Sequence, residues 1–394
     1  MKKFFKIEIP IIKTYNKSFK RSNIIYIYAK KIFCFFLLFI LCYFSYNFCN
    51  SKIDNEMKLE INYIFKKFNK ININEIYNKY YPTKTKKNEI IKNKINIEFT
   101  LDPNYILETM LTISSIMDSQ NKTTKIVFHI GVINNFNAKN MLKIYSLKNK
   151  INNLTEFNFY YLKEAMKKMK NFHAKGEACP GKFELPQLLP DDVDKILLFD
   201  AGDVIIFKDL TELYNYDMRN FWVLGLPEPV GIELIKQYNS TKYLNIGALI
   251  INVTEFKMNN IWDKYTKNRN LHIEGAPDQT LLNIIIPDDK KDYFPFRLGV
   301  YSIFPDDNTF KNNPNDFNYG LKSWFSSELN NLPDNPKTMS EYCSLYNNSI
   351  FIHQFIGKWY DGQGLSICRN SAKYFIKLAG IWDELCLKRP GYCI

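Results

Sequence analysis

Two aspartates, Asp200 and Asp203, close the stretch KILLFDAGDV (195–204), directly after the apolar run Ile196–Phe199. An apolar run bounded by charge and glycine reads as a short buried strand. Carboxylates at the end of such a strand stand at a sheet edge, where ligands and metals bind in open α/β folds. Their hard oxygens suit Mg2+ or Mn2+. The same Asp-Ala-Gly-Asp sequence also fits a plain strand-to-loop turn. Residues three apart in an extended strand face opposite sides, so convergence of the two carboxylates requires a bend at Ala201-Gly202. Gly202 has the backbone freedom for it. A second polar group, Asp102-Pro103-Asn104-Tyr105, follows the apolar stretch INIEFT (95–100). There a carboxylate can accept from a uracil imide, an asparagine can bond ribose hydroxyls, and a tyrosine can stack on a base. An Asp-Pro turn with Asn104 capping the next helix is the plain alternative.

The elements that must position these groups alternate in type. INIEFT reads as a strand, YILETMLTISSIMDS (105–119) as an amphipathic helix with Ile106, Met110, Ile113 and Ile116 on one face, and KIVFHIGV (125–132) as a second strand. That is a βαβ unit with parallel pairing. KILLFDAG, FWVLGL (221–226), LNIGALIINV (244–253) and SIFIHQF (349–355) supply further strands. The fold class expected is α/β, and residues 305–345 read as loop.

Apolar residues make up 46% of the 394 and aromatics 16%, which excludes a disordered chain. The net charge of +13 is concentrated in residues 1–31 and in a lysine run at 84–94, and no nucleic-acid motif accompanies it, so no nucleic-acid partner is expected. Ile32–Phe48 is free of charge and follows Lys30-Lys31. As a helix it would span about 26 Å, the short end of a bilayer crossing. The flank predicts a basic cytoplasmic tail (1–31), a transmembrane signal anchor (32–48), a polar stalk (49–94) and a lumenal domain (95–394). This is a single-pass type II membrane protein of the secretory pathway, Golgi or ER, tied to the membrane by its N-terminal helix. Cys179, Cys343, Cys368, Cys386 and Cys393 then lie where disulfides form. Sequons stand at Asn121, Asn153, Asn239, Asn252 and Asn347.

INIEFTLDPNY, KFELPQLLPDDVDKILLFDAGDVIIFKDLTELY, YLNIGALIINVTEF, PDQTLLN and IHQFIGKW occur in the order seen in glycosyltransferase family 8. The chain resembles that family, which includes glycogenin and lipopolysaccharide galactosyl- and glucosyltransferases, over residues 95–382. The resemblance implies a GT-A fold, a nucleotide-sugar-binding, Rossmann-like mixed sheet flanked by helices. It implies a UDP-sugar donor, Mn2+ (or Mg2+), transfer of a hexose or pentose with retention, and a glycan, protein or lipid acceptor. It assigns Asp102 and Tyr105 to uracil and Asn104 to ribose. Asp200, Asp203 and His353 become the metal ligands, although the family's Asp-x-Asp is one residue shorter. Lys182 stands where the family has an arginine near the donor sugar. Asn245, Asp278 and Gln279 match residues that contact the transferred sugar, and Gly357 and Lys358 match a pair at the diphosphate. His129 and His173 are read as structural. A family member that binds a sugar nucleotide or partner without turnover is the alternative.

Overall fold

The structure, a computed structural model, describes residues 51–81, 91–163, 180–301, 344 and 348–353, with 66, 68–69, 134–135, 149–153, 202, 229–234, 236–237, 239, 270 and 272–276 excepted. The chain divides into two units, Met1–Met57 and Lys58–Ile394. In the first, residues 51–57 are helical. The candidate anchor, Ile32–Phe48, lies outside the described residues. Among the described residues, no helix is long and apolar enough to cross a membrane.

In chain order the second unit runs β1 (Lys70–Asn72), α1 (Ile73–Tyr80), β2 (Asn93–Leu101), a 3-10 turn (Pro103–Tyr105), α2 (Ile106–Ser119), β3 (Thr124–Val132), α3 (Ala138–Tyr145) and β4 (Thr155–Tyr161). It continues α4 (Gly181–Leu188), β5 (Lys195–Phe199), β6 (Val204–Ile206), α5 (Thr211–Tyr214), β7 (Val223–Pro227), β8 (Leu244–Asn252), α6 (Val253–Met258) and α7 (Ile261–Lys267). It closes with α8 (Pro277–Ile285), β9 (Lys291–Tyr293), β10 (Gly299–Tyr301) and β11 (Phe351–His353). The main sheet has the order β1-β4-β3-β2-β5-β8-β7-β9, and a second sheet has the order β10-β11-β6. Strands β4, β3, β2 and β5 run parallel, while β8 is antiparallel to β5 and β7.

The central strand explains both layers. β2 turns Ile95, Ile97, Phe99 and Leu101 to one face and Asn96, Glu98 and Thr100 to the other, and all of them are buried. The apolar face continues sideways through ring contacts of Phe99 with Phe128 (6.1 Å) and Phe128 with Phe157 (5.0 Å). The polar face is covered by α4. Gly181 permits that approach, because a Cβ there would overlap the Leu162 side chain. A second core of Phe183, Leu185, Leu198, Leu249, Phe256, Trp262, Tyr265 and Leu281 lies on the α4 side.

Two expectations change. Helix α2 is not amphipathic: Ile106 through Met117 are all buried, polar residues included. It packs between the main sheet and β6, where the Ser115 hydroxyl accepts from the Ile206 amide at 3.1 Å. The stalk expected over 49–94 is in part domain. β1 pairs with β4 at the sheet edge, and Ile71, Ile73 and Ile76 are buried. Isoleucines spaced through a Lys/Asn-rich stretch supply enough apolar surface to dock it.

Candidate functional site

Six backbone segments meet at one edge of the main sheet. β2 and β5 are parallel and deliver Asp102 and Asp200 there. β8 runs the other way, so its first residues, Leu244 and Asn245, reach the same edge opposite the end of β7. β7 is followed at once by Glu228. The first turn of α4 brings Lys182, and the first turn of α8 brings Asp278 and Gln279.

After β5 the chain turns: the Asp203 amide donates to the Asp200 carbonyl at 3.3 Å, and β6 then leaves for the second sheet. The bend expected between the two aspartates is therefore present; Gly202 itself lies outside the described residues. The Asp200 amide donates to the Gly247 carbonyl at 2.8 Å, which pins the turn to β8. The Asp200 carboxylate forms an ion pair with the buried Lys182 ammonium. β11 pairs with β6 so that His353 lies across from Val204, the residue after Asp203. The backbone register thus sets His353 beside the aspartate turn. Its side chain, Gly357 and Lys358 lie outside the described residues. Among the described residues, no group of three or more His, Cys, Asp and Glu side chains converges as a metal would require.

Asp102 acts as a local cap. Its carboxylate accepts from the Asn104 amide at 2.6 Å and starts the 3-10 turn that leads into α2. Asn104 is exposed and Tyr105 half-buried at the strand end. The turn is present with Asp102, not Asn104, as its cap, and α2, whose N-cap is Tyr105, has no side-chain cap.

The β7–β8 ladder opens at the site. Its register shifts between Gly225 and Leu226, leaving Ile246, Gly247 and Ala248 without partners on β7. Side chains take over these backbone groups. The Gln279 Oε1 accepts from the Ile246 amide at 3.2 Å, and the Asn245 Oδ1 accepts from the Gly247 amide at 2.7 Å. Asn283 ties α8 to the same strand, accepting from the Leu244 amide at 2.7 Å and donating to its carbonyl at 2.8 Å. The Asn245 Nδ2 donates to Glu228 Oε2 at 2.7 Å. Burial pushes the Glu228 carboxyl above its ordinary range, against hydrogen bonds from Asn245 and Gln279.

The structure brings Asp102, Asn104, Tyr105, Lys182, Asp200, Asp203, Asn245, Asp278 and Gln279 to one edge. Sequence reasoning missed Glu228 and Asn283. Glu228 had a signal: like Asp102 and Asp200, it directly follows an apolar strand. Beneath Lys182 lies Glu98, fully buried, whose carboxyl is held well above its ordinary value by burial, with the Lys182 charge working against. His129 is a core residue, as read. It bonds Tyr160 at 3.0 Å and Asn96 at 3.3 Å.

The model of glycosyl transferase family 8 matches residues 96–293, half of the chain. General stress protein A of Bacillus subtilis (strain 168) is 26% identical over 114 residues, covering 27% of this chain and 40% of that protein. The chain thus spans less than half the length of that curated relative. Among solved structures, the galactosyltransferase LgtC in complex with donor and acceptor sugar analogues aligns with a TM-score of 0.52 at 16% identity, over 73% of this chain and 95% of that one. The apo bifunctional glycosyltransferase WbbM aligns with a TM-score of 0.50 at 16% identity, over 72% and 51% respectively. At such identity the likeness concerns the fold, a mixed sheet with flanking helices of the GT-A type. Apart from His353, every described site residue falls inside the matched segment, and the chain belongs to glycosyl transferase family 8.

Proposed function

We propose that this chain is a retaining glycosyltransferase that moves a hexose or pentose from a UDP-sugar to a glycan, protein or lipid acceptor, with a divalent cation. The observation that carries the reading is the single sheet edge at which Asp102, Asp200, Asp203, Lys182, Asn245 and Gln279 stand, with the Asp200 carboxylate paired to the Lys182 ammonium. Breaking the donor's glycosidic bond leaves negative charge on a diphosphate. Positive charge fixed beforehand at that point lowers the barrier. Lys182 is such a charge, and its ion pair with Asp200 holds it at the edge. Asp102, Asn104 and Tyr105 receive the nucleoside; Asp278, Asn245 and Gln279 face the sugar; Gly357 and Lys358 belong at the diphosphate.

The donor chemistry suits a metal. Asp200 and Asp203 share one hydrogen-bonded turn, and His353 is in register with its next residue. Two carboxylates and an imidazole fit Mn2+. Bound there, Mn2+ would neutralise the diphosphate as it leaves.

The test is a panel of UDP-sugars against the full-length protein with Mn2+, scored for donor hydrolysis and transfer. Release of UDP from one donor, lost on chelation, is the expected result. Failure to turn over any donor overturns the reading. The Lys182–Asp200 ion pair favours one second reading, nucleotide-sugar binding without turnover, because it engages a carboxylate assigned to the metal. Donor binding with no hydrolysis would select it.

The same proposal places the domain in the lumen of the secretory pathway behind an anchor at 32–48. It rests on the uncharged run and its Lys30-Lys31 flank. Protease added outside microsomes should spare the domain; its digestion overturns this topology.

A further inference from the structure

The buried amides at the site pose a question of orientation. A primary amide turned by half a rotation exchanges donor for acceptor, so a residue that reads sugar hydroxyls must be held one way round. The Asn245 Oδ1 is fixed by the Gly247 amide at 2.7 Å, and the Gln279 Oε1 by the Ile246 amide at 3.2 Å. Each amide nitrogen is then turned away from those backbone donors. The Asn245 nitrogen meets a carboxyl: Asn245 Nδ2 donates to Glu228 Oε2 at 2.7 Å.

We propose that Glu228 is a positioning residue for sugar transfer, a carboxylate clamp that holds the Asn245 amide in one orientation at the sheet edge. This rests on the function proposed above. Three features of the fold support it. Glu228 is anchored by its own backbone, its amide donating to the Tyr243 carbonyl at 2.9 Å. It follows β7 where the β7–β8 ladder opens, the same interruption that gives Ile246 and Gly247 to the two side chains. Asn245 and Gln279 are 4% and 9% exposed, so rotating either amide would leave a buried backbone N–H facing an NH2 group. A carboxylate accepts and cannot donate, so it fixes the nitrogen end of the Asn245 amide. Glutamine can turn its own NH2 toward Asn245 instead.

The test uses the full-length chain, Glu228→Gln and Glu228→Met, each checked for its unfolding midpoint. Side-chain amide exchange of Asn245 and Gln279 is read by NMR, and turnover of the active UDP-sugar is measured alongside. The Asn245 amide is expected to exchange slowly in the wild type, faster in Glu228→Gln and fastest in Glu228→Met, while Gln279, held at the Ile246 amide, changes less. kcat should fall in the same order, roughly tenfold where Asn245 is released, with the KM for donor changed much less. A purely structural residue would lower the midpoint and the active fraction without that split. Should Glu228→Met fail to fold, the near-isosteric Glu228→Gln decides alone. Unchanged exchange in Glu228→Gln, or full kcat in a folded variant, overturns the clamp. A wild type that turns over no donor would sink the proposed function, while the exchange pattern would still report on the clamp.

Discussion

Lys182 places a buried ammonium against Asp200; their side chains are 6% and 26% exposed. Removing one member of a fully buried pair costs about 3–5 kcal/mol. Water reaches Asp200, so the cost here falls toward the roughly 1 kcal/mol of a solvated pair. Stability is therefore the smaller consequence, and the rate the larger. Lys182→Met is expected to fold and to lose about 10²–10³ in kcat, the scale of one preorganised charge-stabilising donor. Lys182→Arg, which keeps the charge, should retain most of the activity. A folded Lys182→Met enzyme at full rate would place the charge that stabilises the diphosphate elsewhere. Residues of this kind were legible where a carboxylate or lysine flanks an apolar run, because burial forces the run into a strand and the strand end to an edge. Glu228 has that pattern too, but the Pro-Glu-Pro around it reads as a loop, and its partner Asn245 lies further along the chain. Only the opened ladder of β7 and β8 shows why a carboxylate stands there.

At the scale of elements, the aspartate turn leads from the main sheet into the second sheet, where β6 pairs with the His353 strand, and an aromatic contact also joins the two sheets. Phe199, the last residue of β5, meets Phe351 of β11 edge-on at 5.7 Å, and Phe294 meets the same ring edge-on at 5.9 Å. Asp200 follows the first ring directly, and His353 lies two residues past the second. Gly299 of β10 pairs with Phe351 and lies under its ring, where an added Cβ would overlap it. With Phe199 and Phe294 also packed against it, the ring has little room to yield. Gly299→Ala should therefore cost about 1–3 kcal/mol by overpacking. It should also weaken metal-dependent turnover more than nucleotide binding, since the displaced strand carries His353 and not Asp102 or Tyr105. Calorimetry with UDP alone, set beside the Mn2+ dependence of turnover, separates the two. Equal losses in both would mean that β11 does not serve the metal. Strands β2, β3, β5, β7, β8 and β11 were foreseen from their apolar runs, while β1, β4, β6, β9 and β10 were not. The division between two sheets was not foreseen either, because β6 and β11 are three-residue strands with no pattern that distinguishes one sheet from another.

At the scale of the whole molecule, the centre of the sheet carries two titratable groups with opposite pH dependence. Glu98 on β2 and His129 on β3 are paired in register. Burial holds the His129 imidazole neutral, its pKa lowered from 6.5 to about 3, with the Lys70 and Lys94 charges adding to the effect. Neutral His129 fits a relay in which Tyr160 donates to Nδ1 and Nε2 donates to Asn96 Oδ1. Asn96 Nδ2 then donates to the Tyr214 hydroxyl, and that hydroxyl to the Lys195 carbonyl. As pH falls below 6.5, the unfolded chain takes up a proton at His129 that the folded one refuses, so stability drops until about pH 3. Glu98 works the other way. Its folded value is raised, so above 4.5 the unfolded chain releases a proton that the folded one keeps, and stability falls as pH rises. While the folded Glu98 holds its proton, each slope is about 1.4 kcal/mol per pH unit, and the two cancel between 4.5 and 6.5. The wild type should therefore show little pH dependence from this pair in that window, with a loss below 4.5 owed to His129 alone. Glu98→Gln, which fixes the uncharged form, removes one slope. Its stability should exceed the wild type's at pH 7 and should begin to fall already at 6.5. Urea unfolding of both proteins from pH 3.5 to 8 measures this directly; parallel curves would show that Glu98 is ionised in the folded chain and that Lys182, not burial, governs its charge.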